Sequence, residues 1–330
     1  MPHPRQVFAY EGGEGVETAF LEAMARGRLH HAWLLTGPEG VGKATFAYRA
    51  ARRLLGARPD PALGLLGAAP GDPVSRQVAA RAHPDLLVLE REGEDGKPRK
   101  YIPVDDARRL PEFFSKAPAS APFRVAIVDA ADDMNVNAAN ALLKTLEEPP
   151  ARGVLFLVSH APGGLIATIR SRCRRLAFPA WSEPRVQAFL QAQTGLDEAS
   201  AGALARMARG APGRALGMAQ GGGLEADALA GEILDRLPGV DEARLLAAAD
   251  GFRGAEGQKR FELLLGRLAE QVRERAVSAA QEGAAAGLDG WARAWEDLIA
   301  LPHQVEAVNL DRADALFTAV GRLRDAARAR

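Results

Sequence analysis

The sequence holds one cysteine, Cys173, in 330 residues. That excludes an intrachain disulfide framework and any cysteine-rich zinc site. Neither sign of charge is in excess: 42 Lys and Arg balance 42 Asp and Glu, for a formal net charge of zero. That argues against a polycationic tail or an autonomous DNA binder active at high salt. It does not exclude a few phosphate contacts on one face. Aromatic residues are 6% of the chain, and abundant alanine leans towards helices. No run of about 18 apolar residues occurs, so no membrane span is expected. The opening Met1-Pro2-His3-Pro4-Arg5 lacks a secretory pattern, and a cytoplasmic location is expected.

What is present is the mix of an ordinary globular protein, 47% apolar and 25% charged. At ~100–200 residues per domain, this length makes about two or three domains. Short apolar runs predict strands at Ala32–Thr36, Leu86–Glu90, Val125–Asp129 and Val154–Ser159, and a weaker one at Arg175–Phe178. Helical periods lie between them. Phe46, Ala50 and Leu54 recur every fourth residue. Ala139, Leu142, Leu143 and Leu146 follow i, i+3, i+4, i+7 until Pro149-Pro150 ends the pattern. Strands alternating with helices predict a parallel α/β sheet with helices on both faces. After Pro179 only helical patterns follow, such as Phe261, Leu264, Leu265, Leu268 and Val272, then Leu316, Phe317, Val320 and Leu323. One boundary is read near Pro179–Pro184. A second falls at Gly221-Gly222-Gly223, read as a linker. Residues 57–75 read as an irregular insertion and 91–100 as a solvated hairpin tip or loop.

Gly37-Pro38-Glu39-Gly40-Val41-Gly42-Lys43 follows a strand and opens a helix. This is the context of a phosphate-binding loop. Glycines let backbone N–H groups converge on phosphate oxygens, the helix N-terminus adds positive potential, and Lys43 adds a point charge. Gly37, Gly40, Val41, Gly42, Lys43 and Thr45 form the candidate nucleotide loop. The position after the lysine, where a hydroxyl would ligate Mg²⁺, is Ala44; Thr45 comes one residue late, about 100° round the helix. Asp129 ends the run Arg124-Val125-Ala126-Ile127-Val128-Asp129, where a metal-linked aspartate belongs. The next residue, where a water-polarising Glu would stand, is Ala130. Asp132 and Asp133 read as caps of the following helix. Both gaps bear on hydrolysis more than on binding.

Further stretches carry a resemblance. Gly27-Arg28-Leu29-His30-His31-Ala32-Trp33-Leu34-Leu35-Thr36-Gly37-Pro38 leads into the loop. Asn140-Ala141-Leu142-Leu143-Lys144-Thr145-Leu146-Glu147-Glu148-Pro149-Pro150 follows the acidic strand. Ser171-Arg172-Cys173 and Gly210-Ala211-Pro212-Gly213-Arg214-Ala215-Leu216 come later. Together they resemble the AAA+ clamp-loader subunits of the bacterial replicase, DNA polymerase III. The resemblance implies an AAA+ P-loop domain over 1–180, a small helical lid domain over 181–222 and an all-α collar domain over 223–330. Within that family it implies a ring-forming stator with little or no ATP hydrolysis, and Arg172 as an arginine finger given to a neighbouring ATPase. A guanidinium suits that task, since its fixed donors neutralise charge developing on a γ-phosphate. Arg170, Arg172 and Arg174 alternate with Ser171 and Cys173, so an extended segment would put the arginines on one face.

The resemblance also implies that Ser159 senses the γ-phosphate and that Arg214 reaches the same nucleotide from the lid. The implied partners are the gamma/tau motor subunits, the clamp-opening delta subunit, the sliding clamp and primed DNA within the assembly; no membrane is involved. Whether the chain's own loop holds ATP or ADP stays open. Many members carry a four-cysteine zinc module, but residues 57–82 contain no cysteine, and no zinc or other metal is expected. Cys173 reads as a packing residue, since no base partner is evident. Two alternatives stand beside the stator: an active motor ATPase of the gamma/tau kind, against which Ala44 and Ala130 count, and a self-contained P-loop enzyme, for which no acceptor motif is visible.

Overall fold

A computed structural model describes residues 2–91, 99, 101–282, 287–308 and 310–328. The loop expected at 91–100 therefore lies largely outside the described residues. The chain forms two compact units. One comprises Met1–Leu190 with Ala205–Ala215, the other Gln191–Leu204 with Leu216–Arg330.

The first unit is built on five parallel strands: β1 (Ala32–Thr36), β2 (Leu86–Glu90), β3 (Arg124–Asp129), β4 (Gly153–Ser159) and β5 (Arg174–Ala177), in the order β2-β3-β4-β1-β5. The central strands are buried on both faces, which is why they read as continuous apolar runs. Trp33, Leu35, Val125, Ile127, Phe156 and Val158 point to one face. Alternate residues Leu34, Ala126, Val128, Leu155 and Leu157 point to the other.

On the first face pack α1 (Glu14–Ala25) through Phe20, α2 (Lys43–Leu54) through Phe46, Ala50 and Leu54, and α3 (Pro73–Ala79) through Val78. On the second pack α4 (Val104–Ser115) through Leu110, α5 (Val136–Glu147) through Leu142 and Leu146, and α6 (Ala167–Arg172) through Ile169. This is the expected α/β architecture, a parallel sheet with helices on both faces. α3 and a short turn at Pro61–Leu63 break up the insertion expected at 57–75.

Two expectations are corrected. Arg170 and Arg172 do not lie on an extended segment. They belong to the helical turn α6, where residues two apart are about 200° apart, so the arginines share no face. The glycine triplet is no linker. The helices α7 (Glu183–Thr194), α8 (Glu198–Ala208), α9 (Pro212–Gly221) and α10 (Gly223–Asp235) follow β5. Gly222 alone, at φ +80°, joins α9 to α10, and Gly223 is buried with Met218 so near that a Cβ would stand 2.7 Å from its Cβ. Small size here permits a tight helix junction.

The second unit has its own core. It is made by α10, α11 (Glu242–Ala249), α12 (Gly254–Gln281), α13 (Leu288–Val308) and α14 (Arg312–Arg328). Ile233, Leu245, Phe261, Leu265, Leu298, Leu316 and Leu323 meet in it. Phe261, Leu264, Leu265, Leu268 and Val272 are all buried, as their spacing predicts. No strand follows β5 among the described residues.

Candidate nucleotide site and surface arginine

The loop between β1 and α2 is wound by three glycines at positive φ: Gly37 at +148°, Gly40 at +80° and Gly42 at +101°. Gly42 stands at the N-cap of α2 in the left-handed region, and Val41 is buried beneath the turn. The first turn of α2 is thus aimed at the loop's mouth. Lys43, 2% exposed, folds back so that its Nζ donates to the carbonyls of Gly37 and Pro38, each at 2.6 Å. Burial pushes its amine down to about 8, against the pull of Glu39, Asp132 and Asp129. Thr45 is half-buried in the first turn of α2.

Asp129 ends β3 in register with Glu90 on β2. Burial pushes its carboxyl up to about 6, and Glu90 adds to that, while His3 and Lys43 pull it down. Glu90 itself is held low despite its burial by a hydrogen bond from His3 and by the cations Arg81 and Arg5. The carboxylate missed by sequence reasoning is Asp132. It does not cap α5; Asn135 does, accepting from the Ala138 N–H at 2.9 Å. Asp132 instead clamps the end of β4. It accepts from Ser159 Oγ at 2.8 Å, His160 N at 2.6 Å and Ala161 N at 3.3 Å. Asp133 pairs with Arg91 at 2.9 Å. Ser159 is fully buried, and its hydroxyl proton is directed at Asp132.

Arg214 comes to the loop through its backbone. Gly213 N donates to Gly40 O at 2.8 Å, and a Cβ on Gly40 would stand 2.5 Å from Arg214 N. The glycine at 40 is therefore demanded twice, by φ and by the close approach of α9. From the other side Tyr10 covers Gly42, where a Cβ would meet its ring at 2.6 Å. The segment bearing Tyr10 is tied to α2 by two buried arginines. Arg49 donates to Phe8 O and pairs with Glu17 of α1 at 2.7 Å, and Arg52 donates to Arg5 O and, at 3.4 Å, to Val7 O. Nothing in the spacing of α2 distinguished these arginines from solvated ones.

Lys43, Asp129, Asp132, Ser159 and the Gly213–Arg214 backbone thus gather round one loop. The wound glycines and Lys43 fit a phosphate. Ala44 has no side-chain oxygen for a metal ion and Ala130 no side-chain base for a water, at the two positions where a hydrolysing site carries them.

Arg172 is elsewhere. It is the last residue of α6, held between Ile169, which is fully buried, and Cys173, which packs against the same core. Burial pushes the Cys173 thiol up to about 12, leaving it an inert packing group. The Arg172 side chain is 37% exposed, with Nη2 3.1 Å from Glu147 Oε1. Arg174 pairs in register with Trp33, near the start of β1, whereas the phosphate loop begins after Thr36 at its end. At about 3.3 Å per residue, roughly 13 Å of strand separates the two levels.

The family model described as DNA polymerase III, delta subunit, matches residues 13–182. The chain belongs to that family. It is 44% identical over 149 residues to DNA polymerase III subunit delta' of Pseudomonas aeruginosa, covering 45% of this chain and 43% of that one. To the Escherichia coli delta' subunit it is 33% identical over 223 residues, covering 67% and 64%. The chain thus spans 43% to 64% of the length of these delta-prime relatives. It is also 27% identical over 313 residues to the tau subunit of Salmonella typhimurium, covering 92% and 44%. Among solved structures, a DNA polymerase III gamma subunit-related protein of Thermotoga maritima aligns over 93% of this chain and 99% of that one, at 19% identity and a TM-score of 0.41. The chain is a delta-prime-like member of the DNA polymerase III clamp-loader family. Among the described residues, no helix is long and apolar enough to cross a membrane.

Proposed function

We propose that this chain is the stator of a sliding-clamp loader, completing a neighbour's ATPase site with Arg172 while turning over little or no ATP itself. The observation that carries this is the separation of Arg172 from the chain's own loop. Arg174, two residues on, lies in register with Trp33 near the start of β1, while the chain's own loop follows Thr36 at its end; this supports an Arg172 offered to a nucleotide held by another chain. Ala44 and Ala130 agree, since they remove metal and base from the site at home.

In this reading residues 1–180 are the AAA+ domain, 181–222 the lid and 223–330 the collar through which the subunits assemble in the cytoplasm. The gamma/tau motors bind ATP, the delta subunit opens the clamp, and primed DNA enters the ring. Arg172 approaches the γ-phosphate of a motor's ATP. Its planar donors stabilise the charge that spreads over the equatorial oxygens as the phosphoryl group departs. Lys43, Thr45, Asp129, Ser159, Arg214 and the loop residues Gly37, Gly40, Val41 and Gly42 keep the form of a nucleotide site, whether or not ATP or ADP occupies it. A motor reading is favoured by the tau match over 92% of the chain.

The test is the clamp- and DNA-stimulated ATPase of a loader reconstituted with this chain or its Arg172→Ala variant, beside the isolated chain. Loss of about 10-fold or more of turnover in an assembled Arg172→Ala loader, with an inert isolated chain, is expected. Hydrolysis by the isolated chain together with a fully active Arg172→Ala loader establishes the motor reading.

A further inference from the structure

The ion pair between Arg172 and Glu147 has no part in the reading above. Glu147 is the last residue of α5 and Arg172 the last of α6. Each helix is anchored in the same core, α5 by Leu142 and Leu146 and α6 by Ile169. One carboxylate and one guanidinium join their ends at 3.1 Å, and Arg172 Nη1 reaches the Thr168 carbonyl at 3.5 Å. Both partners lie at the surface, and the guanidinium itself stays partly exposed.

Helix stability does not ask for Glu147. A carboxylate in the last turn opposes the macrodipole of α5, where a cation is favoured, whereas Arg172 suits the end of α6. The placement of an acid there is accounted for by its partner. An unheld arginine on a surface samples many rotamers and loses that freedom only when it engages. One already held by a carboxylate on a rigid element has lost it beforehand, which is the condition for a donor fork to meet a phosphate without rearrangement.

We propose that Glu147 is a positioning residue for Arg172, holding the guanidinium in the one presented rotamer from which it reaches a neighbouring chain's phosphate. This rests on the reading of Arg172 as the arginine offered in trans. Glu147 touches no substrate and acts only through Arg172.

The experiment is a double-mutant cycle in the reconstituted loader, with clamp and primed DNA present. Glu147→Ala is expected to lower kcat about twofold to fivefold, the range of an exposed ion pair, with the KM for ATP unchanged. Glu147→Gln, which keeps an acceptor oxygen, should recover part of the loss. In the Arg172→Ala background, Glu147→Ala should cost nothing further. Gel filtration and thermal melts of each variant establish that it folds and assembles. Unchanged or faster turnover in Glu147→Ala, with Arg172→Ala strongly impaired, overturns the positioning role and leaves the finger standing. An equal loss in both backgrounds also overturns it, because Glu147 then acts elsewhere. If Arg172→Ala is itself fully active, the finger reading falls and the positioning role falls with it. A second readout is independent of turnover: in the isolated chain, rotation about the Arg172 Cζ–Nε bond, followed by nitrogen-15 NMR, should quicken in Glu147→Ala. Rotation equally fast in both chains overturns the proposal.

Discussion

Asp129 and Asp85 are both aspartates next to the sheet, and their surroundings push them in opposite directions. Asp129 is raised to about 6 by burial and by Glu90. Its ionised form is therefore disfavoured in the folded chain. The sign follows: its contribution is fully present below about pH 4, where folded and unfolded states are both protonated, and is lost as pH rises through 6. Asp129→Asn removes that loss. It should raise the thermal midpoint at pH 7.5 by several degrees, from about 3 kcal/mol at about 2–4 °C per kcal/mol, with the gain vanishing near pH 4. A midpoint lowered at pH 7.5 contradicts this account. Asp85 is fully buried just before β2, and burial alone would raise it. The N–H groups of Ala119, Ser120 and Ala121, at 2.7, 2.8 and 3.0 Å, and the Arg124 guanidinium at 3.5 Å outweigh burial and hold it low. Its stabilisation is present above the usual carboxylate range and is lost as pH falls through the depressed value. Asp85→Ala leaves three donors without their acceptor. It should cost about 3 kcal/mol or more at pH 7, measured by urea denaturation.

At the scale of elements, the contact between the phosphate loop and the start of α9 is the most exacting. Gly40→Ala forces a Cβ into positive φ and against Arg214 N. A loss of about 2–3 kcal/mol is expected, with faster amide exchange at Gly213 and Arg214 as the local signature. Unaltered exchange at these two amides contradicts the close approach. The strands, the loop and α5 were legible because buried parallel strands read as continuous apolar runs, and because a helix of twelve residues displays its period. α6 was not. Six residues show barely two turns of pattern, and Arg170-Ser171-Arg172-Cys173-Arg174 suits an alternating strand equally well. The Asp132 clamp joins side chains 27 residues apart, and the Tyr10 segment is tied to α2 across more than 40. Such pairings follow from the order of strands in the sheet, which local spacing does not encode. The glycine triplet misled for a related reason: composition records that glycine is permissive, and only packing against Met218 reveals whether that freedom is used for a linker or a close approach.

For the whole molecule, charge balance sets how the chain meets DNA. With 42 charges of each sign, no net field draws the chain towards a polyanion. Binding by the chain alone is then limited to the few phosphates that local cations touch. Each such contact contributes about 0.9 to the slope of log K against log salt. With about two or three contacts, the isolated chain should show a slope no steeper than about −3 and retain no primed DNA at about 150 mM salt, measured by fluorescence anisotropy. The assembled loader should be steeper, because contacts from several subunits add on one strand. A slope in the isolated chain steeper than about −5 would mean that one face concentrates the cations while the acids lie elsewhere. DNA recognition would then belong to this subunit rather than to the ring. Neutrality has a second consequence for a subunit of this kind. In the proposed stator reading, a neutral chain that binds DNA weakly on its own does not compete with its assembly for primed sites, and DNA binding and ATP turnover are then expected of the complete ring.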